Sequence, residues 1–252
     1  YTGIGKIMRK ITLAANWKMY LDESNSISFI HKLNADKDLF SDKDIILFPS
    51  HACIRAVKDH LDISLKIGMQ DCDMHAQGAY TGSTSINSID IDSCIVGHSE
   101  RRIVYKETNS IISDKLNTIL SSNANPILCI GETLKEKNKN LAVSVLRKQL
   151  SILPQNLDGK ELTIAYEPVW AIGSGDVPSN EYINEMLSSI KNRLKSLYSD
   201  TDLHNIKLFY GGSVDASNIE ELLSVELIDG FLIGSASANF EKFKEIVRKI
   251  KL

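Results

Sequence analysis

The most constraining feature of the sequence is the regular alternation of short apolar runs with longer amphipathic stretches. The runs lack the polar alternation of a half-exposed strand and are often followed by Gly, Pro, Asn or His. This pattern is typical of buried parallel strands. Eight such runs are present, at residues 11–15, 45–48, 65–69, 94–97, 127–130, 162–165, 208–210 and 230–233.

The stretches between the runs carry apolar residues at the three- and four-residue spacing of an amphipathic helix. Ser179 is a suitable N-cap for one of these helices. The lysines and arginine near the C-terminus form the solvated face of another. The two predicted buried faces consist of Ile183, Met186, Leu187, Ile190, Leu194 and Leu197, and of Phe243, Ile246, Val247 and Ile250.

Eight strands that alternate with helices in 252 residues predict an α/β fold, a parallel eight-stranded (β/α)8 barrel in a single domain. A doubly wound sheet is the second choice, because it usually has fewer strands. We assign residues 9–252 to the barrel. Met8 is the predicted natural start, so residues 1–8 are interpreted as an extension, either native or left by cloning.

Composition excludes several classes of function. The net charge of −3 provides no electrostatic attraction to nucleic acid or to an anionic membrane. No apolar run approaches the roughly 20 residues that a membrane-spanning helix requires. We therefore expect a cytoplasmic protein that binds neither nucleic acid nor membrane.

The four cysteines lie on or beside apolar runs, and the sequence has no Cys-x-x-Cys pair. Such cysteines are typical of reduced, packed thiols. Cys72 and His75 form a Cys-x-x-His pair, but a structural zinc site needs about four ligands and the sequence offers no second pair. We expect no bound metal.

Polar residues suited to catalysis fall where the predicted strands end, which is where the active site of such a barrel lies. Glu167 follows an apolar run and precedes the glycine-tipped segment 173–175, an arrangement suited to a general base beneath a lid. An ordinary strand-to-helix loop remains the alternative for this segment taken alone. The strand-end residues are Asn16, Lys18, His98, Ser99, Glu100, Glu132, Glu167, Gly211, Gly212, Ser213, Gly234 and Ser235.

Six segments together resemble the triosephosphate isomerase family, and they occur in that family's order. The likeness extends from about residue 10 to the C-terminus and implies a TIM barrel. It implies a glycolytic and gluconeogenic isomerase that interconverts dihydroxyacetone phosphate and D-glyceraldehyde 3-phosphate through an enediolate, without a cofactor. The segments are Asn-Trp-Lys-Met at 16–19, Gly-His-Ser-Glu-Arg-Arg at 97–102, Cys-Ile-Gly-Glu-Thr at 129–133, the stretch 165–175, Tyr-Gly-Gly-Ser at 210–213 and the stretch 229–234.

The resemblance also implies a role for each matching residue. Glu167 is the base and neutral His98 is the electrophile, two roles for which this family is itself the standard example. Lys18 supplies positive charge and Asn16 an amide donor, while Glu100 helps to hold Lys18. Without the resemblance, a lone loop histidine or lysine is more simply a hydrogen-bonded or solvated residue.

The substrate phosphate is expected on backbone N–H groups after strands seven and eight, where a helix N-terminus adds its dipole. A lid from the loop after strand six is expected to close over the substrate. The predicted phosphate contacts are Asn16, Lys18, Gly173, Ser213, Gly234 and Ser235. The predicted lid consists of Pro168, Val169, Trp170, Ala171, Ile172, Gly173, Ser174, Gly175, Asp176, Val177 and Pro178.

The sequence departs from the family pattern at a few positions. Residues 176–178 stand where a Lys-Thr-Ala hinge is usual, and Ser235 replaces a second glycine. The resemblance implies a homodimer in which Thr81 reaches toward the neighbouring active site. In the loop at residues 78–83, Ser83 replaces the usual Glu, so one inter-subunit ion pair of the family is not expected here. A simple surface turn is the alternative for the loop.

Two other functions stay open: a related barrel isomerase for a larger phosphosugar, and a non-catalytic barrel that binds a phosphometabolite. Hydrolysis is unfavoured, because the consecutive side chains of His98, Ser99 and Glu100 diverge and cannot align as a triad. The segment 97–101 also lacks the final Gly of a Gly-x-Ser-x-Gly elbow. Neither a Walker loop nor a strand-linked Gly-x-Gly-x-x-Gly is present, so no nucleotide is implied.

Overall fold

A closed barrel of eight parallel strands forms the centre of the protein. The computed structural model describes residues 10–173 and 176–250. The strands follow one another around the barrel in chain order, and the last pairs with the first. The predicted (β/α)8 barrel is thereby confirmed. The proposed extension at residues 1–8 lies outside the described residues.

The strand boundaries lie within two residues of those expected from the apolar runs. Asn16, which was expected to follow the first strand, is its last residue, because its backbone still pairs with Phe48 of the second. The strands are β1 (Thr12–Asn16), β2 (Asp44–Phe48), β3 (Lys66–Met69), β4 (Ser93–Val96), β5 (Asn125–Ile130), β6 (Leu162–Tyr166), β7 (Ile206–Tyr210) and β8 (Gly230–Ile233).

Helices connect the strands on the outside of the barrel. Short 3-10 turns add to them at His51–Cys53, Val169–Ala171 and Ser235–Ala238. No helix in the described ranges is long and apolar enough to cross a membrane. The α-helices are α1 (Glu23–Ala35), α2 (Lys37–Phe40), α3 (Ile54–His60), α4 (Ser99–Ile103), α5 (Asn109–Leu120), α6 (Leu134–Lys137), α7 (Ala142–Leu150), α8 (Asn180–Lys195), α9 (Asp200–His204), α10 (Ile219–Leu222) and α11 (Phe240–Lys249).

The two helices predicted from amphipathic spacing, α8 and α11, are both present. Ser179 caps α8 by accepting a hydrogen bond from the Tyr182 N–H, as its position predicted. The expected apolar residues of both helices are buried, except Leu197. Leu197 lies two residues beyond the end of α8 and packs on the core only in part, because the chain has already turned there.

The hydrophobic core consists of two separate sets of buried side chains. Strand residues with odd and even positions point to opposite faces, so one set fills the barrel and the other packs against the helices. The set inside the barrel has few members, and they fill the interior below the C-terminal ends of the strands. Its members are Ala14, Ile46, Phe48, Ile95, Ile127, Cys129, Ala165, Phe209 and Leu232.

All four cysteines are free thiols in buried positions, as expected from the apolar runs around them. Burial raises the pKa of the Cys94 and Cys129 thiols well above the usual value. Both therefore stay protonated at neutral pH and act as small apolar residues.

Candidate active site

A cavity of about 560 Å³ opens at the end of the barrel where the strands terminate. Glu100 lies beside it, in an adjoining cavity of about 300 Å³ that shares Asn16, Lys18 and His98. Residues from five separate strand ends therefore meet in one place, although they are far apart in the sequence. The predicted site residues that line the larger cavity are Asn16, Lys18, His98, Glu167, Gly173, Ser213, Gly234 and Ser235.

Glu167 directly follows β6 and is only 1% exposed. Its Oε2 accepts a hydrogen bond of 3.0 Å from the Ser99 backbone N–H. Its Oε1 lies 3.1 Å from His98 Nε2, but the contact lacks hydrogen-bond geometry and leaves this oxygen unpaired. Oε2 is thus held in place. Oε1 faces His98 and accepts no hydrogen bond.

His98 is the N-cap of α4, and its ring nitrogen Nδ1 accepts a hydrogen bond of 3.2 Å from the Glu100 N–H. The contact from Nδ1 to Glu100 Oε2 is longer, at 3.6 Å. A nitrogen that accepts an N–H carries no proton itself, so the proton of the neutral ring lies on Nε2. The ring therefore presents a neutral N–H donor toward Glu167 and the cavity.

Lys18 has an unusual backbone conformation, with a φ of 50° that non-glycine residues rarely adopt. Asn16 Oδ1 accepts the Lys18 backbone N–H at 3.0 Å. The Lys18 Nζ lies 2.7 Å from Glu100 Oε1. Burial acts to raise the pKa of Glu100, but the hydrogen bond and charge of Lys18 oppose it, and the pKa is lowered. Glu100 is therefore ionised at neutral pH and keeps the lysine amine in place.

The far side of the cavity is built from backbone rather than from charged side chains. Gly234 precedes the 3-10 turn Ser235–Ala238, whose first N–H groups have no partner within the turn. The buried Ser237 hydroxyl donates to the carbonyls of Ile233 and Gly234, at 2.8 and 2.7 Å, and fixes this turn. A Cβ at Gly234 would lie 3.1 Å from Lys18 Cε, so glycine permits the lysine to approach.

Comparison with known proteins identifies the family of the chain. The family model described as triosephosphate isomerase matches residues 11–250. The chain belongs to the triosephosphate isomerase family.

Curated relatives named triosephosphate isomerase match nearly the whole chain. The protein of Clostridium tetani is 36% identical over 247 residues, which cover 95% of this chain and 96% of that protein. The protein of Amoebophilus asiaticus is 36% identical over 96% of this chain and 100% of its own length. That of Mycoplasma genitalium is 35% identical over 96% and 99%, respectively. The resemblance found in the sequence is confirmed.

The segment that the sequence predicts to be a lid is held by hydrogen bonds where it begins. The 3-10 turn Val169–Ala171 forms its first part, and the Val169 N–H donates to the Glu132 carbonyl at 3.0 Å. The Ala171 carbonyl accepts the Ser213 hydroxyl at 2.6 Å, which connects the lid to the loop after β7. Ser174 and Gly175, also predicted to belong to the lid, lie outside the described residues.

Glu132 was singled out from the sequence without a role, and the structure places it at the base of the lid. It is fully buried, and its Oε1 accepts the Trp170 indole N–H at 2.8 Å and the Tyr182 hydroxyl at 3.0 Å. The Tyr166 hydroxyl donates to the same carboxylate at 3.1 Å. Lys137 Nζ lies 3.4 Å from the centre of the Trp170 ring, a cation–π contact. Glu132 therefore anchors the start of the predicted lid segment through Trp170 and is not among the residues that line the cavity.

A buried ion-pair network behind α4 was not anticipated from the sequence. Lys115 Nζ lies 2.8 and 2.7 Å from the two carboxylate oxygens of Asp71 and 2.6 Å from Glu107 Oε1. Arg101 NH2 lies 3.0 Å from Asp71 Oδ2 and 2.6 Å from Glu107 Oε1. Because Arg101 belongs to α4, this network fixes the helix that carries His98 and Glu100.

The Cys72 and His75 pair forms no metal centre of the kind considered from the sequence. Within residues 10–173 and 176–250, no group of three or more His, Cys, Asp and Glu side chains is placed to hold a metal ion. His75 instead pairs with Asp73 at 2.8 Å and stacks on Tyr80, with ring centres 3.8 Å apart. These contacts order the loop that leads to Thr81.

Proposed function

We propose that the protein is a triosephosphate isomerase that interconverts dihydroxyacetone phosphate and D-glyceraldehyde 3-phosphate. The observation that carries the proposal is the meeting, in one cavity, of a buried carboxylate, a neutral imidazole N–H donor and a lysine. Glu167, His98 and Lys18 provide these three groups. Moving a proton between adjacent carbons requires one base and donors for both substrate oxygens. No cofactor takes part in this proton transfer.

In the first half of the proposed reaction, Glu167 takes a proton from C1 of dihydroxyacetone phosphate. The electrons of the broken C–H bond form the C1–C2 double bond, and the C2 carbonyl oxygen becomes an oxyanion. The N–H on His98 Nε2 and the Lys18 amine stabilise that negative charge. The unpaired Oε1 of Glu167 is the oxygen suited to accept the proton, since Oε2 is held by Ser99.

In the second half, a proton moves from the C1 hydroxyl to the oxygen on C2, with His98 as the donor and acceptor. The protonated Glu167 then returns its proton to C2, and the C1 oxygen becomes the aldehyde carbonyl. The base regains its charge, and no group is consumed. A short carboxylate stem reaches both carbons because they are directly bonded.

The phosphate is proposed to bind at the backbone side of the cavity. Gly173, Ser213, Gly234 and Ser235 lie along that side, and glycine allows the backbone to approach an anion closely. Asn16 and Lys18 extend the contacts from the opposite wall. Binding of the non-reacting phosphate provides the energy that closes the lid over the carbons. A closed lid excludes water and strengthens the electrostatic contacts to the enediolate.

The protein is also proposed to act as a homodimer through the loop around Thr81. Met19, with 94% exposure, and Tyr105, with 64%, lie beside the 300 Å³ cavity that contains Lys18. Large exposed apolar side chains around a cavity favour contact with another protein surface. Thr81 lies on an exposed loop, and the resemblance to the family implies that this loop reaches the neighbouring site of a second copy. A cytoplasmic location, in accord with the free buried thiols, belongs to the same proposal.

The substrate assay distinguishes the proposed function from its two alternatives. The chain is expected to convert D-glyceraldehyde 3-phosphate in a coupled assay and to leave ribose 5-phosphate unchanged. Preferred turnover of ribose 5-phosphate would indicate an isomerase of larger phosphosugars. Saturable calorimetric binding of dihydroxyacetone phosphate without any turnover would indicate a binding protein, and either result would overturn the proposal.

A further inference from the structure

The strained backbone of Lys18 requires contacts that hold it. A lysine with a φ of 50° occupies the left-handed region, where an L residue is disfavoured unless its surroundings fix it. The conformation has a clear consequence: the amine reaches Glu100, and the end of the side chain lies where a Cβ at position 234 would crowd it. In a relaxed backbone the side chain would leave Cα in another direction. Whatever holds the backbone therefore aims the amine.

The side chain of Gln70 is the contact that holds the Lys18 carbonyl. Its Nε2 donates to the Lys18 carbonyl oxygen at 2.7 Å and to the Phe48 carbonyl oxygen at 2.9 Å. An amide nitrogen has two hydrogens, and both are used here. The amide oxygen of Gln70 is only an acceptor and cannot bond to a carbonyl oxygen. The Nε2 end of the amide must therefore face the two carbonyls.

Gln70 also connects three successive strand ends. It follows β3 directly, and its acceptors are the last residue of β2 and the loop after β1. The Phe48 carbonyl additionally accepts the Trp17 N–H at 3.1 Å. Because Asn16 Oδ1 accepts the Lys18 N–H, side chains hold both backbone polar groups of Lys18. Amide groups from the ends of two different strands, Asn16 of β1 and Gln70 after β3, therefore hold the strained residue on both sides.

We propose that Gln70 is a positioning residue for the reaction: it holds Lys18 in its left-handed conformation and so places the lysine amine against the substrate oxyanion and phosphate. The inference rests on the proposed function, because the placed amine acts on a phosphorylated substrate. Gln70 itself does not touch the reacting atoms. Its second donor hydrogen serves only to fix the amide against the end of β2.

The test is to replace Gln70 with Met, which has a similar length but no donor. Loss of kcat/KM for D-glyceraldehyde 3-phosphate by about 10- to 100-fold is expected, since a misplacement near 1 Å can cost about 100-fold. KM is expected to rise and kcat to fall together, because Lys18 contacts both the phosphate and the developing oxyanion. Asn34→Leu is the matched control: the Asn34 amide also joins two elements, α1 and the end of α3, by contacts to His60 and Asp62, but Asn34 does not line either cavity. It is expected to leave kcat/KM unchanged.

A double-mutant cycle separates positioning from a general structural effect. In a Lys18→Met background, Gln70→Met is expected to change the residual kcat/KM by less than about threefold, because coupled residues are not additive. An equal fold loss in both backgrounds would overturn the inference. Gln70→Asn, which keeps the amide but shortens it, replaces Gln70→Met if the latter does not fold. Sedimentation of each variant ensures that equal oligomers are compared.

The activity of the native chain distinguishes failure of the proposed function from failure of the positioning role of Gln70. If it does not convert D-glyceraldehyde 3-phosphate, the proposed function is wrong. If it does, and Gln70→Met is as active as Asn34→Leu, only the positioning role is wrong.

Discussion

Replacement of Glu167 with Gln is expected to reduce kcat for D-glyceraldehyde 3-phosphate by about 10²–10⁴-fold, the usual contribution of a general base. The amide is nearly isosteric and can still occupy the site between Ser99 and His98, but it has no basic oxygen for a carbon-bound proton. KM is expected to change much less than kcat, because the phosphate contacts remain. The coupled isomerase assay measures both constants.

Glu161→Gln provides the control for that substitution. Glu161 lines a cavity at the opposite, N-terminal end of the barrel, so the same carboxylate-to-amide change occurs far from the site. The control is expected to retain native kcat. Circular dichroism and urea unfolding should show both variants folded. Retention of activity within about threefold in Glu167→Gln would mean that another group is the base.

Replacement of Lys115 with Met is expected to lower the free energy of unfolding by about 3–5 kcal/mol at neutral pH. Lys115 is 6% exposed and pairs with both Asp71 and Glu107. Its removal leaves two partly buried carboxylates with only Arg101 to balance them. A loss of this size is a large part of the roughly 5–15 kcal/mol that holds a typical domain folded. Urea denaturation followed by circular dichroism measures it.

The same variant has a defined pH dependence. Burial raises the pKa of Asp71 above its usual value, and the charge of Lys115 opposes that rise. Without Lys115, the pKa of Asp71 in the folded protein rises further above its unfolded value. The ionised carboxylate then destabilises the fold at neutral pH, and protonation relieves this as pH falls through the raised folded-state pKa. The cost of Lys115→Met is therefore expected to shrink on acidification toward pH 5.

Two comparisons sharpen the Lys115 prediction. Lys249→Met removes an exposed ion pair between Lys249 and Glu220, which are 36% and 59% exposed, respectively. It is expected to lower the free energy of unfolding by no more than about 1 kcal/mol. Adding Asp71→Asn to Lys115→Met removes the unpaired charge and is expected to restore part of the stability. If Lys115→Met and Lys249→Met lowered the free energy of unfolding equally, the Lys115 network would stabilise the fold no more than an exposed ion pair does.

The barrel could be predicted because its strands are buried on both faces. Such strands appear as continuous apolar runs, and their ends are marked by residues that cannot extend them. Boundaries shifted by one or two residues, as at Asn16 and Ser93, because main-chain pairing continues past the apolar side chains. Leu197 continued the helical spacing of α8 after the helix itself had ended, since spacing alone does not locate the last hydrogen bond.

The cavity residues could be predicted because the barrel brings all strand ends to one face. Glu167, His98 and Lys18 meet there for this topological reason, and the family motifs indicated which polar residues mattered. Their catalytic roles stay predictions until the variants are assayed. Residues 176–178 stand where a Lys-Thr-Ala hinge is usual, and the hypothesis that they change the rate of lid opening stays untested, because it concerns motion rather than position.

The contacts that support the site could not be predicted in the same way. Gln70 contacts Lys18 across 52 positions of sequence, and Lys115 contacts Asp71 across 44. Neither residue belongs to a periodic pattern, and a single Gln or Lys in a sequence is more often exposed. Glu132 was visible at a strand end, but only the structure shows that it accepts hydrogen bonds from Trp170 and Tyr182, where the predicted lid segment begins.

The central claim is that Glu167 carries a proton between adjacent carbons of a triose phosphate. Its most direct test is conversion of D-glyceraldehyde 3-phosphate by the native chain in D2O, with early product analysed by proton NMR. Deuterium is expected at C1 of part of the dihydroxyacetone phosphate, because the proton held by a carboxylic acid exchanges with solvent. Product that carries only the substrate's own hydrogen at C1, or no product at all, would contradict the central claim.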